Sequence, residues 1–164
     1  MRIASYVQDS IVDGPGFRFT LFVQGCPHHC VGCHNPQTHD FNAGRDESVE
    51  SILNALLSNP LTDGLTLSGG EPFAQPEDCA KLAEEAKKHG LNVWAYSGWT
   101  FEELMQDTRP GVRSLLEQCD VLVDGRFVQE EKSLGIKWRG SRNQRLIDVP
   151  KSLIRGKAEE IEAC

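Results

Sequence analysis

Strand-like and helix-like segments alternate along this chain, and the alternation restricts the folds that it can adopt. Short apolar runs rich in β-branched and aromatic residues predict strands at residues 17–23, 64–68, 92–97 and 120–124. Between them, apolar side chains recur with helical periodicity at positions 49, 52, 53, 56 and 57, and again at 79, 82, 83 and 86. Strands that alternate with helices form a mostly parallel sheet covered by helices.

Helix signals and chain length refine this prediction. Thr100 followed by Glu103 fits a capping box that begins a helix, and His89-Gly90 fits a helix end. A closed eightfold (β/α) barrel needs roughly 250 residues, whereas this chain has 164. We therefore expect an α/β fold with a partial, open barrel or a highly curved, mostly parallel sheet. It forms one domain over residues 1–155, followed by a polar, frayed tail over residues 156–164.

Each predicted strand runs into glycine and polar residues. The four strand ends are Gly25-Cys26, Ser68-Gly69-Gly70-Glu71, Ser97-Gly98 and Asp124-Gly125. Ligand sites of parallel α/β folds lie at the carboxyl ends of the strands, and glycine allows a close approach of the backbone to a ligand. An ordinary tight turn explains any one of these ends. Four of them beside a cysteine cluster favour a ligand site.

Three thiols with the spacing C-x3-C-x2-C follow the first predicted strand, at Cys26, Cys30 and Cys33. One interpretation is a zinc site whose fourth ligand is His28, His29 or His34, because structural zinc takes four ligands. The other is a four-iron cluster held by three cysteines instead of the usual four. Such a cluster leaves one iron open to a small chelating molecule.

Composition excludes several functional classes. The formal net charge of −7 argues against wholesale binding to nucleic acid or an anionic membrane. No apolar run approaches the ~20 residues of a membrane span, and the beginning of the chain lacks a secretory signal pattern. We therefore expect a cytoplasmic protein, in which clustered thiols indicate a metal or catalysis instead of disulfides. The other cysteines, Cys79, Cys119 and Cys164, are expected to be buried or incidental thiols.

The cysteine spacing and the segment LSGGEP at residues 67–72 resemble the radical S-adenosylmethionine (SAM) superfamily. The segment DGPGFRFTLFVQGCPHHCVGCHNP resembles the beginning of its glycyl-radical-enzyme activases. WAYSGWTFEEL, DVLVDGRFV and WRGSRNQRLIDV are similar to the activases of anaerobic ribonucleotide reductase, and together these segments cover most of residues 11–149. The resemblance implies a partial, open (β/α) barrel of the radical SAM type.

The same resemblance implies an activity, two cofactors and two partners. The cofactors are a [4Fe-4S] cluster and SAM, which is cleaved reductively to methionine and a 5'-deoxyadenosyl radical. That radical removes a hydrogen atom from a glycine of anaerobic ribonucleoside-triphosphate reductase and leaves a glycyl radical there. A reducing partner of flavodoxin or thioredoxin type supplies the electron, and no nucleic acid or membrane partner is expected.

Residue roles follow from the resemblance, beginning with Cys26, Cys30 and Cys33 as the cluster ligands. Gly69 and Gly70 would offer backbone groups to the methionine amine of SAM. Glu71 would add an acceptor, because a buried ammonium needs hydrogen-bond partners.

The remaining predicted site residues flank the third cysteine or end later strands. Gly32 and His34 should line the cofactor, although many superfamily members carry an aromatic residue where this chain has Gly32. His34 or Trp99 would then cover the adenine. Ser97 and Asp124 would contact the ribose, the carboxylate or a cation, with a turn-capping role as the alternative.

Two further segments have both a structural and a functional interpretation. Residues 13–16, Asp-Gly-Pro-Gly, form a turn and by resemblance border the entry of the glycyl loop of the reductase. Residues 137–145 contain four cations and form either a solvated surface or a contact with the partner.

Two other functions compete with the activase. One is a small-molecule radical SAM enzyme resembling 7-carboxy-7-deazaguanine synthase, against which WAYSGWTFEEL and WRGSRNQR argue. The other is a zinc-stabilised binding module without enzymatic activity.

Overall fold

The computed structural model describes residues 1–162 and shows a mixed α/β fold built on one seven-stranded sheet. Its helices and strands are β1 (Arg2–Ser10), β2 (Arg18–Val23), β3 (Arg45–Asp46), α1 (Val49–Leu57), β4 (Gly64–Gly69), α2 (Pro76–Lys88), β5 (Asn92–Ser97), α3 (Phe101–Gln106), α4 (Val112–Gln118), β6 (Val121–Asp124), β7 (Arg145–Asp148) and α5 (Val149–Arg155). Single 3-10 turns lie at Pro36–Thr38, Pro72–Ala74 and Gln129–Glu131.

The sheet is parallel in its centre and antiparallel at both edges. Its strand order is β3-β1-β2-β4-β5-β6-β7. The four predicted strands, β2, β4, β5 and β6, pair in parallel, whereas β1, β3 and β7 pair antiparallel. The α/β prediction is confirmed, but parallel pairing is confined to the centre. β1 was not predicted, because polar residues interrupt its sequence RIASYVQDS and leave no apolar run.

The main hydrophobic core lies between one face of the sheet and the helices. Alternate strand residues such as Leu65 and Leu67 of β4 and Val93 and Ala95 of β5 are fully buried there, as the two-residue period of a strand requires. The core residues of α2 pack against them. None of the helices in residues 1–162 is long and apolar enough to cross a membrane.

The opposite face of the central strands is also buried, and there polar groups lie beside a second hydrophobic cluster of Trp94, Val121, Val123 and Leu146. Arg18 is fully buried; its guanidinium donates to Thr66 Oγ1 at 2.7 Å and to the Pro15 and Leu65 carbonyls, both at 3.0 Å. Burial lowers the pKa of Arg18 to about 10, and the guanidinium lies 5.6 Å from the Trp94 ring centroid. These bonds attach the turn at residues 13–16 to the sheet.

The predicted helix signals are confirmed, whereas residues 159–161, within the segment expected to fray, bond to β7. Thr100 and Glu103 form the expected capping box of α3. α2 ends at Lys88, and Gly90 follows with a φ of 79°. The tail was expected to fray, but Glu160 pairs with Ile147 of β7. An apolar residue at 161 and the open edge of β7 explain this pairing, since an unpaired strand edge recruits more backbone.

Two buried thiols predict a loss of stability at alkaline pH. Cys79 and Cys119 are fully buried, and burial raises the pKa of both, that of Cys119 to about 12. Above pH 9 the unfolded chain releases these protons while the folded chain keeps them, so the free energy of unfolding falls as the pH rises. We expect a loss of about 1 kcal/mol per thiol at pH 10.

Urea unfolding under anaerobic, reducing conditions at pH 8 and pH 10 measures this effect. Cys119→Ala should be less stable at pH 8 but should lose less on going to pH 10. An equal loss in both proteins would contradict the assignment of the alkaline sensitivity to this thiol.

Candidate cofactor-binding site

A central cavity of about 590 Å³ opens at the carboxyl ends of the parallel strands. Its wall includes Cys26 after β2, Gly69 at the end of β4, Ser97 at the end of β5 and Gly125 after β6. The predicted convergence of the four strand ends is therefore confirmed. A volume of this size suits a cofactor-sized ligand.

The cysteine loop, residues 25–35, brings Cys26, Cys30 and Cys33 to the wall of this one cavity. The Cys26 amide donates to the His39 carbonyl at 3.2 Å, and the Cys33 amide to the Cys30 carbonyl at 3.2 Å. The amide of Asn35 donates to Cys33 Sγ at 3.4 Å, a bond that stabilises a thiolate. The loop thus presents three sulfur atoms to the cavity.

Burial raises the pKa of the Cys26 thiol, against the opposing effect of the His28 and His29 backbone amides. A thiolate at this position therefore needs a bound cation to be stable. Metal ligation supplies that cation, because coordinated cysteines are deprotonated.

The donor set fits an iron–sulfur cluster. Three thiols line the cavity, but no three His, Cys, Asp or Glu side chains within residues 1–162 are grouped closely enough to hold a single metal ion. A four-iron cluster takes its thiolates at separate irons, so its ligands are spread around it. Sulfur is also the ligand type that iron–sulfur clusters select.

The glycine-rich loop, residues 68–72, forms the wall beside the cysteine loop. The Gly70 amide donates to the Val23 carbonyl at 2.8 Å, and the Glu71 amide donates to the Gly25 carbonyl at 2.9 Å. Gly69 has a φ of 90°, and both Gly69 and Gly70 line the cavity. An ammonium only donates hydrogen bonds, so the carbonyl oxygens of this loop, and not its amides, are the groups suited to an ammonium ligand.

Glu71 lies behind the cavity wall and is almost completely buried. Its carboxylate accepts from the Gly98 amide at 2.7 Å, from the Phe73 amide at 3.0 Å and from the Ser97 hydroxyl at 3.0 Å. His28 Nε2 lies 2.7 Å from the same carboxylate. Glu71 therefore holds protein groups, and its predicted contact with SAM remains a prediction.

Ser97 and Asp124 both make structural bonds. Ser97 lines the cavity, but its hydroxyl donates to Glu71. Asp124 is buried, accepts from the Phe101 amide at the beginning of α3 at 2.7 Å and pairs with Arg145 Nη2 at 2.6 Å. This hydrogen bond from the guanidinium raises the pKa of Arg145 above its ordinary value. Asp124 therefore supports the beginning of α3 and Arg145, and its predicted contact with the cofactor remains a prediction.

Of the residues predicted to line the cofactor or cover the adenine, His34 lies at the cavity wall, whereas Gly32 and Trp99 do not. His34 lines the cavity and packs against Phe127, with ring centroids 5.0 Å apart. Gly32 has a φ of 76°, which explains glycine at this position. A Cβ there would lie 2.9 Å from the Gln129 side chain. Trp99 contacts the His28 ring instead, with centroids 4.6 Å apart.

Sequence reasoning missed several residues of the cavity wall. His28 was considered only as a zinc ligand. Its position between two cysteines of one short loop could have indicated that it lies in the site. Tyr96 and Trp138 also line the cavity, and they come from a strand and an irregular segment that share no sequence pattern. Asp13, from the turn that the resemblance placed at the border of the site, lies at the same wall. Arg139, from the basic segment at residues 137–145, lies at the same wall.

Comparisons with known proteins agree with this donor set. A family model described as a 4Fe-4S single cluster domain matches residues 12–147. Relatives named anaerobic ribonucleoside-triphosphate reductase-activating protein include those of Pasteurella multocida (strain Pm70), 40% identical over 88% of this chain and 95% of that protein, and Vibrio cholerae, 38% identical over 88% and 96%. The Escherichia coli (strain K12) relative is 36% identical over 88% and 96%.

A solved structure supports the fold. The crystal structure of QueE from Escherichia coli matches with a TM-score of 0.51 and 15% sequence identity, over 75% of this chain and 69% of that one. At this identity the likeness concerns the fold alone. The family match and the relatives above are decisive for membership: this chain contains a 4Fe-4S single cluster domain and belongs to the family of anaerobic ribonucleoside-triphosphate reductase-activating proteins.

Proposed function

We propose that this chain is a radical SAM enzyme that generates a glycyl radical on an anaerobic ribonucleoside-triphosphate reductase. The observation that carries the proposal is the central cavity, where three thiols of one loop and the backbone of Gly69 and Gly70 share a wall. Relatives at 36–40% identity that carry the name of such an activating protein support it. When bound, the [4Fe-4S] cluster and SAM supply a one-electron cleavage that yields the hydrogen-abstracting 5'-deoxyadenosyl radical.

The residues of the chain bind and orient these cofactors. Cys26, Cys30 and Cys33 provide the three thiolate ligands and leave one position of the cluster free for SAM. The carbonyl oxygens of Gly69 and Gly70 accept from the methionine amine. These roles match the sulfur and oxygen chemistry of the cavity wall.

Residues around the third cysteine and at the later strand ends would hold the adenosine end of SAM. His34 and Gly32 flank the third cysteine, and His34 and Ser97 line the cavity. His34, supported by Phe127, offers a ring face to the adenine. Glu71 and Asp124 act behind this wall, where they hold the loops that present the other residues.

The cavity mouth provides a route for the partner. Val12 and Leu134 line the cavity, and their exposed fractions are 71% and 92%. Exposed apolar side chains at the rim of a cavity mark a protein contact. We propose that the glycine-bearing loop of the reductase enters here, beside the basic residues 137–145.

The proposal also covers the fold type, the cellular compartment and the electron donor. The curved sheet is the partial, open (β/α) barrel of the radical SAM type, in a single domain over residues 1–155. The parallel centre and the cavity at its carboxyl ends support this. The protein works in the cytoplasm, where thiols stay reduced, with an electron donor of flavodoxin or thioredoxin type.

Anaerobic incubation of the reduced protein with SAM and the reductase tests the function. We expect a glycyl doublet in the electron paramagnetic resonance (EPR) spectrum of the reductase and an equivalent amount of 5'-deoxyadenosine. Omitting SAM is the control. If the reductase shows no radical while a free small molecule is consumed instead, the activase proposal is wrong.

A zinc-stabilised module is the remaining alternative from the sequence, and the 4Fe-4S family match disfavours it. Anaerobic purification separates the two. The proposed protein is brown, bleaches in air and contains iron and sulfide, whereas a zinc protein is colourless with about one metal ion per chain.

A further inference from the structure

His28 joins two loops of the site through a buried hydrogen bond. Its Nε2 lies 2.7 Å from Glu71 Oε1, and the two side chains are only 4% and 1% exposed. A carboxylate only accepts hydrogen bonds, so Nε2 carries the hydrogen and donates it. A bond to a buried charged group is among the stronger ones in a protein, because breaking it leaves that group with fewer partners.

The His28 ring is also held by packing. Its centroid lies 4.6 Å from the Trp99 ring in an edge arrangement, and the Arg109 guanidinium covers Trp99 at 4.7 Å. A Cβ at Gly98 would overlap the His28 ring. The ring therefore occupies a fitted position at the end of β5.

Two residues of the cysteine loop have a left-handed backbone. His29 has a φ of 49° and Gly32 a φ of 76°, a conformation that glycine adopts freely and histidine more often than most other residues. His28 precedes His29 and lies midway between Cys26 and Cys30. A side chain anchored at this position therefore restrains the backbone that carries both thiols.

Glu71 extends the restraint to the other side of the cavity. It belongs to the glycine-rich loop and also accepts from the Gly98 and Phe73 amides. From this geometry we infer that His28 is a positioning residue that locks the cysteine loop to the glycine-rich loop. It thereby sets the spacing between the thiol ligands and the SAM-binding backbone. The inference rests on the proposed function for its consequence in SAM binding, but not for the contact itself.

Two substitutions separate the hydrogen bond from the packing. His28→Phe keeps a ring against Trp99 and removes the donor, whereas His28→Gln keeps an N–H donor and removes the ring. His89→Phe is the matched control, because it makes the same change at an exposed histidine that does not line the cavity.

The anaerobically reconstituted proteins are compared by four measurements. These are iron content, hydrogen exchange of residues 25–35 without SAM, the change in the EPR spectrum of the reduced cluster on adding SAM, and KM and kcat for SAM cleavage. For His28→Phe we expect faster exchange in the loop, a KM for SAM raised about tenfold or more with a smaller change in kcat, and a spectral change that needs correspondingly more SAM. His28→Gln should restore KM to within about threefold of the wild type, and His89→Phe should match the wild type.

The outcomes are distinguishable. If His28→Phe and His89→Phe give the same KM, spectra and exchange, the positioning role is wrong. If His28→Phe does not fold, His28→Gln decides: a KM raised tenfold despite the retained donor overturns the proposal, and a KM near the wild type supports it. If the wild type itself does not cleave SAM, the proposed function fails, while the exchange data still test the contact.

Discussion

Cys30→Ala is expected to lose the cluster and SAM cleavage together. Cys30 is one of three thiols at the wall of the central cavity. Four-iron clusters usually have four cysteine ligands, so removal of Cys30 would leave this cluster with two. Changes to groups that merely support a metal ligand cost 10–100-fold, so the loss of a ligand should reduce cleavage by more than about 100-fold. Iron and sulfide analysis after anaerobic reconstitution, with 5'-deoxyadenosine formation, measures both losses.

Cys119→Ala and Cys164→Ala are the controls for this experiment. Cys119 is buried in the main core, where its thiol pKa of about 12 keeps it protonated and inert. Cys164 lies outside the described residues, and the sequence predicts an incidental thiol there. Both variants should keep iron and cleavage, with a loss of stability for Cys119→Ala alone. A Cys30→Ala protein that retains full cleavage would refute the ligand assignment.

Gly69→Ala should combine a loss of stability with a loss of SAM binding. Gly69 has a φ of 90°, and a Cβ there would lie 2.6 Å from Phe22 Cα and Val23 N, which are backbone atoms of β2. The positive φ costs about 1 kcal/mol, and the overlap with backbone costs about 2 kcal/mol more. Relief of the overlap moves the end of β4 away from β2. Because β2 leads into the cysteine loop, this movement displaces the glycine-rich loop from the thiols, and we expect SAM affinity to fall by about tenfold or more.

Gly90→Ala is the matched control for the backbone effect. Gly90 has a φ of 79°, and a Cβ there meets nothing within 4 Å. Its replacement should cost about 1 kcal/mol and leave SAM binding unchanged. Urea unfolding gives the two stabilities, and titration of the cluster EPR signal with SAM gives the affinities. Equal destabilisation by the two substitutions would show that the packing of β4 against β2 does not restrict position 69.

The part of the fold that follows from local pattern was predictable. β5 begins and ends where predicted, and β2, β4 and β6 differ by one residue at an end, because buried parallel strands are continuous apolar runs. The capping box of α3 was readable from Thr100 and Glu103, since a cap involves neighbours in sequence. The antiparallel edge strands could not be predicted from the sequence, because β1 mixes polar and apolar residues and β3 has only two residues.

The convergence of the three cysteines on one cavity was predictable for the same reason. Cys26, Cys30 and Cys33 lie on one short loop, so their spacing alone brings them together. Asp124 was harder to interpret, because its position at a strand end suits both a ligand and a cap. Its pairing with Arg145, 21 residues away, depends on the alignment of β7 with β6.

The sequence by itself determined the type of fold, the three thiols and the glycines that end the parallel strands. These features arise from residues close together in the chain, where spacing and backbone freedom are direct consequences of residue type. Only the tertiary structure decided that Glu71 faces into the protein and that His28, 43 residues away, donates to it. The physical reason is that a buried carboxylate is satisfied by whichever donors the packing brings within about 3 Å, and donors from distant segments leave no pattern in the sequence.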